Sequence, residues 1–332
     1  MGGYNLEEKR LATTIKDVAK YAGVGIGTVS RVINHDKAVG ERTRKKVLEA
    51  MEALHYSPNH MASQLRRNET RILALLVPVI SHPFFAKLAY FVEDEADKFG
   101  YSTILVSSQR RVDKEAEIMS RIRQKKVDGA VFVTHYIHQT QELENCPLVS
   151  IDRRLGGDIP YITSDNYDAT RDAIRYMIER GAKRIGYLGS KPEVDSEVLE
   201  RERAYRDVMA EYGMPICIVN EVVLHGDEAT VAKAFIEQYP EVDGVFVSGY
   251  TLSQVFLSEM TARNKSIPED LQIVSYDGTF RQWSASDLTS VEQPIEEMAR
   301  EAVRLLIRKI HGEDVPQRTV LKTKFILGAT TK

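Results

Sequence analysis

The sequence predicts a short all-α head followed by an α/β body of two lobes, each built on a doubly wound parallel sheet. Three observations carry this. Before Asn68 the apolar residues recur only at helical spacing: Ile15, Val18, Ala19 and Ala22, then Val29, Val32 and Ile33, then Val47, Met51 and Leu54. After Arg71 the pattern changes to short β-branched runs alternating with amphipathic helices, which is the βαβ signature of parallel sheets. The chain has 332 residues, and the stretch after Arg71 is long for one sheet, so two similar lobes are expected.

The elements follow in order. Strands are expected at Ile72–Ile80, Thr103–Val106, Ala130–Thr134, Leu148–Ile151, Arg184–Gly189, Gly244–Ser248 and Gln272–Tyr276, with a last one over Val320–Leu327. Helices are expected at Phe84–Phe99, Asp113–Gln124, Thr170–Arg180, Leu199–Tyr212, Thr251–Asn264 and Ile295–Ile310. Residues 1–13 are polar, lack an apolar run of signal-peptide length, and are expected to be a disordered extension. No stretch approaches the roughly 18 apolar residues of a spanning helix, so a cytoplasmic protein without membrane contact is expected.

Charge is unevenly shared. From Thr14 to Arg67 ten Lys or Arg face five acids, a surplus of +5; residues 1–13 balance, so the net charge of -3 leaves -8 beyond Arg67. A basic head suits a polyanionic partner, although charge alone fits a solvated surface equally well. The two cysteines, Cys146 and Cys217, have neither disulfide-framework nor zinc spacing, and His135 with His138 lacks a third ligand, so no metal and no cofactor are expected. There is no Gly-rich phosphate loop and no Gly-x-Ser-x-Gly elbow, which argues against an enzyme.

In the head, Thr14 is placed to cap a first helix, with Asp17 at the third helical position completing a capping box. Ala22-Gly23-Val24 supplies the glycine of a tight turn and an apolar plug between crossing helices. The second helix, from about Ile26, turns Val29, Val32 and Ile33 inward. Ile26, Gly27, Thr28, Ser30 and Arg31 then face outward as candidates to enter a DNA major groove.

Thr14-Ile15-Lys16-Asp17-Val18-Ala19, Ala22-Gly23-Val24 and Thr28-Val29-Ser30-Arg31-Val32-Ile33-Asn34 closely resemble the head of the lactose-repressor (LacI/GalR) family. The resemblance implies that Ile26, Gly27 and Arg31 face base edges, with Thr14, Thr28, Ser30 and Asn34 in the same interface. Arginine can pair with guanine in two-pronged fashion, isoleucine offers apolar contact, and Gly27 permits close approach. Gly25 and Gly40 stand where the family usually has capping serines, a mild loss because glycine is an acceptable N-cap.

Tyr56-Ser57-Pro58-Asn59 resembles the family's entry to a hinge helix, His60 to about Arg66, too short to be stable alone. The resemblance places Leu65 as the minor-groove wedge and leaves Arg66 for phosphate or groove contact; Ser63 stands where an arginine is common. A plain polar linker is the alternative.

The body resembles the type I periplasmic-binding-protein fold, which this family uses to sense small molecules. The implied domains are a head at 14–57, a hinge and linker at 58–70, and a body at 71–332. The N-lobe takes 71–162 and 292–319, and the C-lobe takes 163–291 and 320–332. The implied effector site collects Phe84, Phe85, Asp152, Arg153, Asp165, Arg201, Tyr250, Asp277 and Trp283. Each has a plainer reading: Phe84 and Phe85 as core, Asp277 as a turn cap, Trp283 packed on a helix. Tyr250 replaces a common aspartate. With Arg153 and Arg201 retained, an acidic or phosphorylated sugar is expected ahead of a neutral one.

The expected function is a homodimeric, sequence-specific regulator of transcription. It would most simply repress a carbohydrate operon, with its hold on operator DNA set by a sugar, sugar acid or sugar phosphate. A nucleobase or protein co-regulator as effector, or action as an activator, stays open. A sugar-binding protein for a transporter would instead show an export signal and no basic head.

Overall fold

The computed structural model describes residues 13–33, 36, 38–56, 69–134, 136, 143–224, 226–278 and 287–332. It divides into two compact units, Met1–Asn68 and Glu69–Lys332. The first holds three helices, α1 (Ile15–Ala22), α2 (Ile26–Ile33) and α3 (Glu41–Ala53), around a small core of Val18, Ala19, Val29, Val32, Val47 and Ala50. Gly23 ends α1 with φ 66°, and the Val24 amide donates back to the Ala19 carbonyl at 3.0 Å. That left-handed turn is why glycine stands there: an L side chain would be strained even in open space.

The second unit carries two six-stranded sheets. The N-lobe sheet runs in the order β11-β5-β4-β3-β1-β2, with β1 (Ile72–Val77), β2 (Ser102–Ser107), β3 (Gly129–Phe132), β4 (Leu148–Ile151), β5 (Tyr161–Ser164) and β11 (Arg318–Leu321), all parallel. The C-lobe sheet runs β12-β10-β9-β8-β6-β7, with β6 (Ile185–Ser190), β7 (Cys217–Glu221), β8 (Gly244–Val247), β9 (Gln272–Tyr276), β10 (Thr289–Glu292) and β12 (Lys324–Ile326); only β12 is antiparallel to its neighbour. In the N-lobe, α4 (Pro83–Lys98), α5 (Val112–Arg123) and α10 (Ile295–Ile310) cover the sheet; in the C-lobe, α6 (Asn166–Glu179), α7 (Leu199–Tyr212), α8 (Glu228–Gln238) and α9 (Tyr250–Ala262) do so.

Alternation along the strands divides each core in two. Leu73, Leu75 and Val77 join α4 and α10 on one face of β1, while Ala74 and Leu76 join Ile118, Met119 and Ile122 of α5 on the other. In the C-lobe, Tyr187, Phe246 and Tyr276 pack under α6 and α7; Leu188, Val245, Val247 and Ile273 pack under α8 and α9. Gly186 in β6 leaves room for the Phe235 ring of α8, which a Cβ would strike.

Several expectations change. The Val320–Leu327 segment is two strands: Arg318–Leu321 completes the N-lobe sheet, and Lys324–Ile326 crosses to the C-lobe sheet. The first strand stops at Val77, before Pro78, which has no N–H for a ladder. Strands β5, β7 and β10 and helix α8 were not anticipated. The sequence Thr289-Ser-Val-Glu292 carries a single large apolar residue, yet β10 is buried over Thr289–Val291. The chain crosses between lobes after Ser164, Glu292 and Leu321. The expected hinge helix with Leu65 and Arg66, and also Asn34 and Trp283, lie outside the described residues.

Candidate functional site

In the head, the outward face of α2 is as the periodicity requires. Val29 and Val32 are buried, Gly27 and Arg31 are exposed, and Ile26 shows 46% of its surface to solvent although it is apolar. Thr28 and Ser30 are half-buried at the flanks of that face. A side chain at Gly27 would meet nothing within 4 Å, so that position leaves the helix surface low and open. Thr14 is exposed, and both its amide and its hydroxyl donate to Asp17 Oδ2, at 2.9 and 2.7 Å. Those bonds hold the Asp17 carboxyl below its ordinary value. Lys16, Lys20, Arg42, Lys45 and Lys46 are exposed, so the head presents cations around an exposed helix face, as a phosphate-lined groove requires.

In the body, both sheets have the 2-1-3-4-5 order of flavodoxin-like folds, in which ligands bind beyond the carboxyl ends of the strands. A cavity of about 440 Å³ lies there between the lobes. Pro78 and Val79 follow β1, Gln109 and Arg110 follow β2, and Arg153 follows β4. From the C-lobe, Lys191 follows β6, Val222 and Val223 follow β7, Ser248 and Gly249 follow β8, and Asp277 follows β9. One wall is aromatic: His82, the N-cap of α4, and Phe85 stand with ring centroids 5.3 Å apart.

The residues expected to bind an effector separate into distinct groups. Phe85, Arg153 and Asp277 line the cavity. Phe84 does not: it is buried in the N-lobe core and meets Phe85 edge-on at 5.4 Å. Asp165 is also elsewhere, at the first crossing between lobes. It accepts from the Thr323 amide at 2.9 Å and pairs with Lys322 at 3.1 Å. Tyr250, the first residue of α9, packs against the N-lobe core rather than facing the cavity.

Arg201 stands apart from the lining. Only 3% of its surface is exposed, and it lies outside the cavity lining. Its Nε donates to Asn166 Oδ1 at 2.6 Å, its Nη1 donates to the Ser248 carbonyl at 3.2 Å, and its guanidinium lies 3.5 Å from the Tyr276 ring centroid. It therefore ties α7 to the crossing at Asn166 and to the end of β8, and its fork is largely occupied. Asp152 sits behind Arg153 with φ 57° and accepts from Thr163 Oγ1 at 2.7 Å. Burial raises its carboxyl above the usual range, against the pull of Arg201 and Arg153. Arg153 itself donates from Nε to the Thr134 carbonyl at 2.9 Å and from Nη1 to Ser196 Oγ at 2.5 Å, and burial lowers its pKa. Asp277, with φ 71°, accepts from Gln293 Nε2.

The sequence reading missed Gln109, Arg110, Lys191, Glu193 and Glu228 in the lining. Their common signal is position: each lies in the loop or first helical turn after a strand's carboxyl end. Arg110 of the N-lobe pairs with Glu193 of the C-lobe. The lining thus holds Arg110, Arg153 and Lys191 against Glu193, Glu228 and Asp277. Among the described residues the formal charges of the lining balance, with no surplus of arginine. Among the described residues no group of three His, Cys, Asp or Glu could hold a metal, and no helix is long and apolar enough to cross a membrane.

A helix-turn-helix head and a two-lobed α/β body with a cavity at the strands' carboxyl ends define a class: DNA-binding regulators with a sensor domain. Residues 14–59 match the bacterial regulatory proteins of the lacI family, and residues 174–331 match the periplasmic binding protein-like domain. The chain is 34% identical over 325 residues to the ribose operon repressor of Halalkalibacterium halodurans, covering 96% of this chain and 97% of that one. Among solved structures, a complex of the transcriptional regulator CelR with cellobiose is 28% identical, covers 96% of this chain and 99% of that one, and superposes with a TM-score of 0.70. The lac repressor dimer bound to operator and an anti-inducer, at 20% identity, covers 96% of this chain and 99% of that one and shares the fold with a TM-score of 0.84. This chain belongs to the lacI family of bacterial regulatory proteins, whose members are transcription regulators.

Proposed function

We propose that the protein is a cytoplasmic, homodimeric repressor of carbohydrate-utilisation genes whose hold on its operator is set by an uncharged sugar in the interlobe cavity. The observation that carries the choice of effector is the charge balance of the lining beside the His82–Phe85 wall. An aromatic face suits the apolar side of a sugar ring, and paired polar groups suit hydroxyls. A phosphate would need unspent cations, and of the three in the lining Arg110 is paired with Glu193 and Arg153 already donates to Thr134 and Ser196, which leaves Lys191. The relatives point the same way, since one is named for a ribose operon and another is complexed with cellobiose.

In this reading α2 enters the major groove through Ile26, Thr28, Ser30 and Arg31, with Thr14 and Asn34 beside it. Two heads read half-sites related by the dimer's two-fold axis, while Leu65 and Arg66 act at the minor groove. Effector binding shifts the lobes and with them the DNA-competent population. Calorimetric titration of the full chain tests the effector class. Neutral pentoses, hexoses and disaccharides should include a binder, and their phosphates and acids should bind more weakly. Tight binding confined to a sugar phosphate or sugar acid would overturn the assignment.

A further inference from the structure

The loop that joins β6 to α7 belongs to the C-lobe by sequence, but its residues Asp195–Glu197 bond to the N-lobe. Arg153 and Ser196 form an isolated antiparallel bridge. The Arg154 amide donates to the Asp195 carbonyl at 3.2 Å, and the Glu197 amide donates to the Asp152 carbonyl at 3.1 Å. Ser196 adds to this by donating to the Asp152 carbonyl at 2.8 Å while accepting from Arg153. Three residues from each lobe are thus paired as a fragment of sheet between the two lobes.

Glu197 makes the pairing costly to undo. Its side chain is 5% exposed, and its carboxylate takes hydrogen bonds from N-lobe groups on three different elements. Oε1 accepts from Arg154 Nε at 3.2 Å, Tyr161 Oη at 3.0 Å and Arg318 Nε at 3.2 Å; Oε2 accepts from Arg318 Nη2 at 3.1 Å. The two contacts to Arg318 form a two-pronged pair. Any movement that parts the lobes here must rehydrate a buried carboxylate and break its charged partners at once. The same loop reaches the cavity, because Lys191, Pro192, Glu193 and Val198 line it. A molecule in the cavity therefore touches the segment on both sides of Asp195–Glu197.

We infer that Asp195–Glu197 is a latch that joins the two lobes, with Glu197 as its bolt. It holds whatever small molecule fills the cavity, and so does not depend on the sugar assignment. Hydrogen exchange followed by mass spectrometry on the full chain without ligand tests it, with Glu197→Gln and Arg318→Met as variants from opposite lobes. Each should speed exchange at least tenfold at both the Arg154 and the Glu197 amides while β1 and β6 keep their protection. Wild-type exchange at those amides in both variants would overturn the latch. So would faster exchange confined to the mutated lobe, or loss of protection in β1 and β6 with every variant, which would make Glu197 a residue of the general fold. If Glu197→Gln alone fails to fold, Ser196→Ala, also from the C-lobe, takes its place under the same criteria.

Discussion

The second helix of the head and the interlobe region of the body use arginine in opposite ways. Arg31 lies exposed on α2, whose Val29 and Val32 hold the helix to the head's core. Arg201 is buried beneath the cavity, with its guanidinium spent on Asn166, Ser248 and the Tyr276 ring. The first has its fork in solvent; the second has its fork turned to groups of the protein's own interior. Charge on an amphipathic helix is therefore a sound guide to an exposed face in the head. In the body the same residue type divides: Arg153 lines the cavity, whereas Arg201 lies outside that lining.

The sharpest way to break this comparison is Arg201→Ala. If Arg201 is architectural, the variant strands Asn166 and the Ser248 carbonyl in a buried setting, and the body should lose about 3–5 kcal/mol in denaturant unfolding followed by far-UV circular dichroism. An unchanged unfolding midpoint together with lost effector binding would return Arg201 to the contact role that its motif suggests.

Arg31→Ala asks the complementary question with a smaller effect. Stability should hold, since the side chain is exposed, while discrimination at one base pair of a selected operator falls by about 1–3 kcal/mol in fluorescence anisotropy titrations. Equal weakening on every sequence would mean that Arg31 meets phosphate only, and the contrast with Arg201 would lose its specific half.

The legible parts of the molecule were those in which one physical rule decides the outcome. Helical spacing placed Val18, Val29, Val32 and Val47 in the head's core, and long apolar runs placed β1, β3, β4, β8 and β9. β10 was invisible because its burial comes from neighbours on both faces and not from its own polar sequence, Thr-Ser-Val-Glu. The split of the last strand pair was hidden for a similar reason: nothing in Lys322-Thr323 announces a change of sheet, and the Asp165 contacts to both residues come from far away in sequence. In the site, family position found Phe85, Arg153 and Asp277, whereas Lys191, Glu193 and Glu228 needed the strand ends to be located first. Glu197 was illegible altogether, since its partners Arg154, Tyr161 and Arg318 converge only after both lobes are assembled.

The smallest effect refines the head's side of the comparison. Gly40 caps α3 with ordinary extended geometry, φ -61° and ψ 145°, and the carbonyl of Gly25 accepts from the amides of Thr28 and Val29 at the start of α2. A side chain added at either glycine would meet nothing within 4 Å, and neither residue has a positive φ. Serine at each position can therefore accept from a free amide in the first helical turn without strain. It should stabilise the head by a few tenths of a kcal/mol, read as a higher melting temperature of its own transition. Gly25→Ser and Gly40→Ser should also add, because they cap different helices. A loss of stability at Gly25 alone would show that the turn before α2 needs glycine's freedom. In that case the outward face of α2, Arg31 included, would owe its placement to that turn as well as to the Val29–Val32 core.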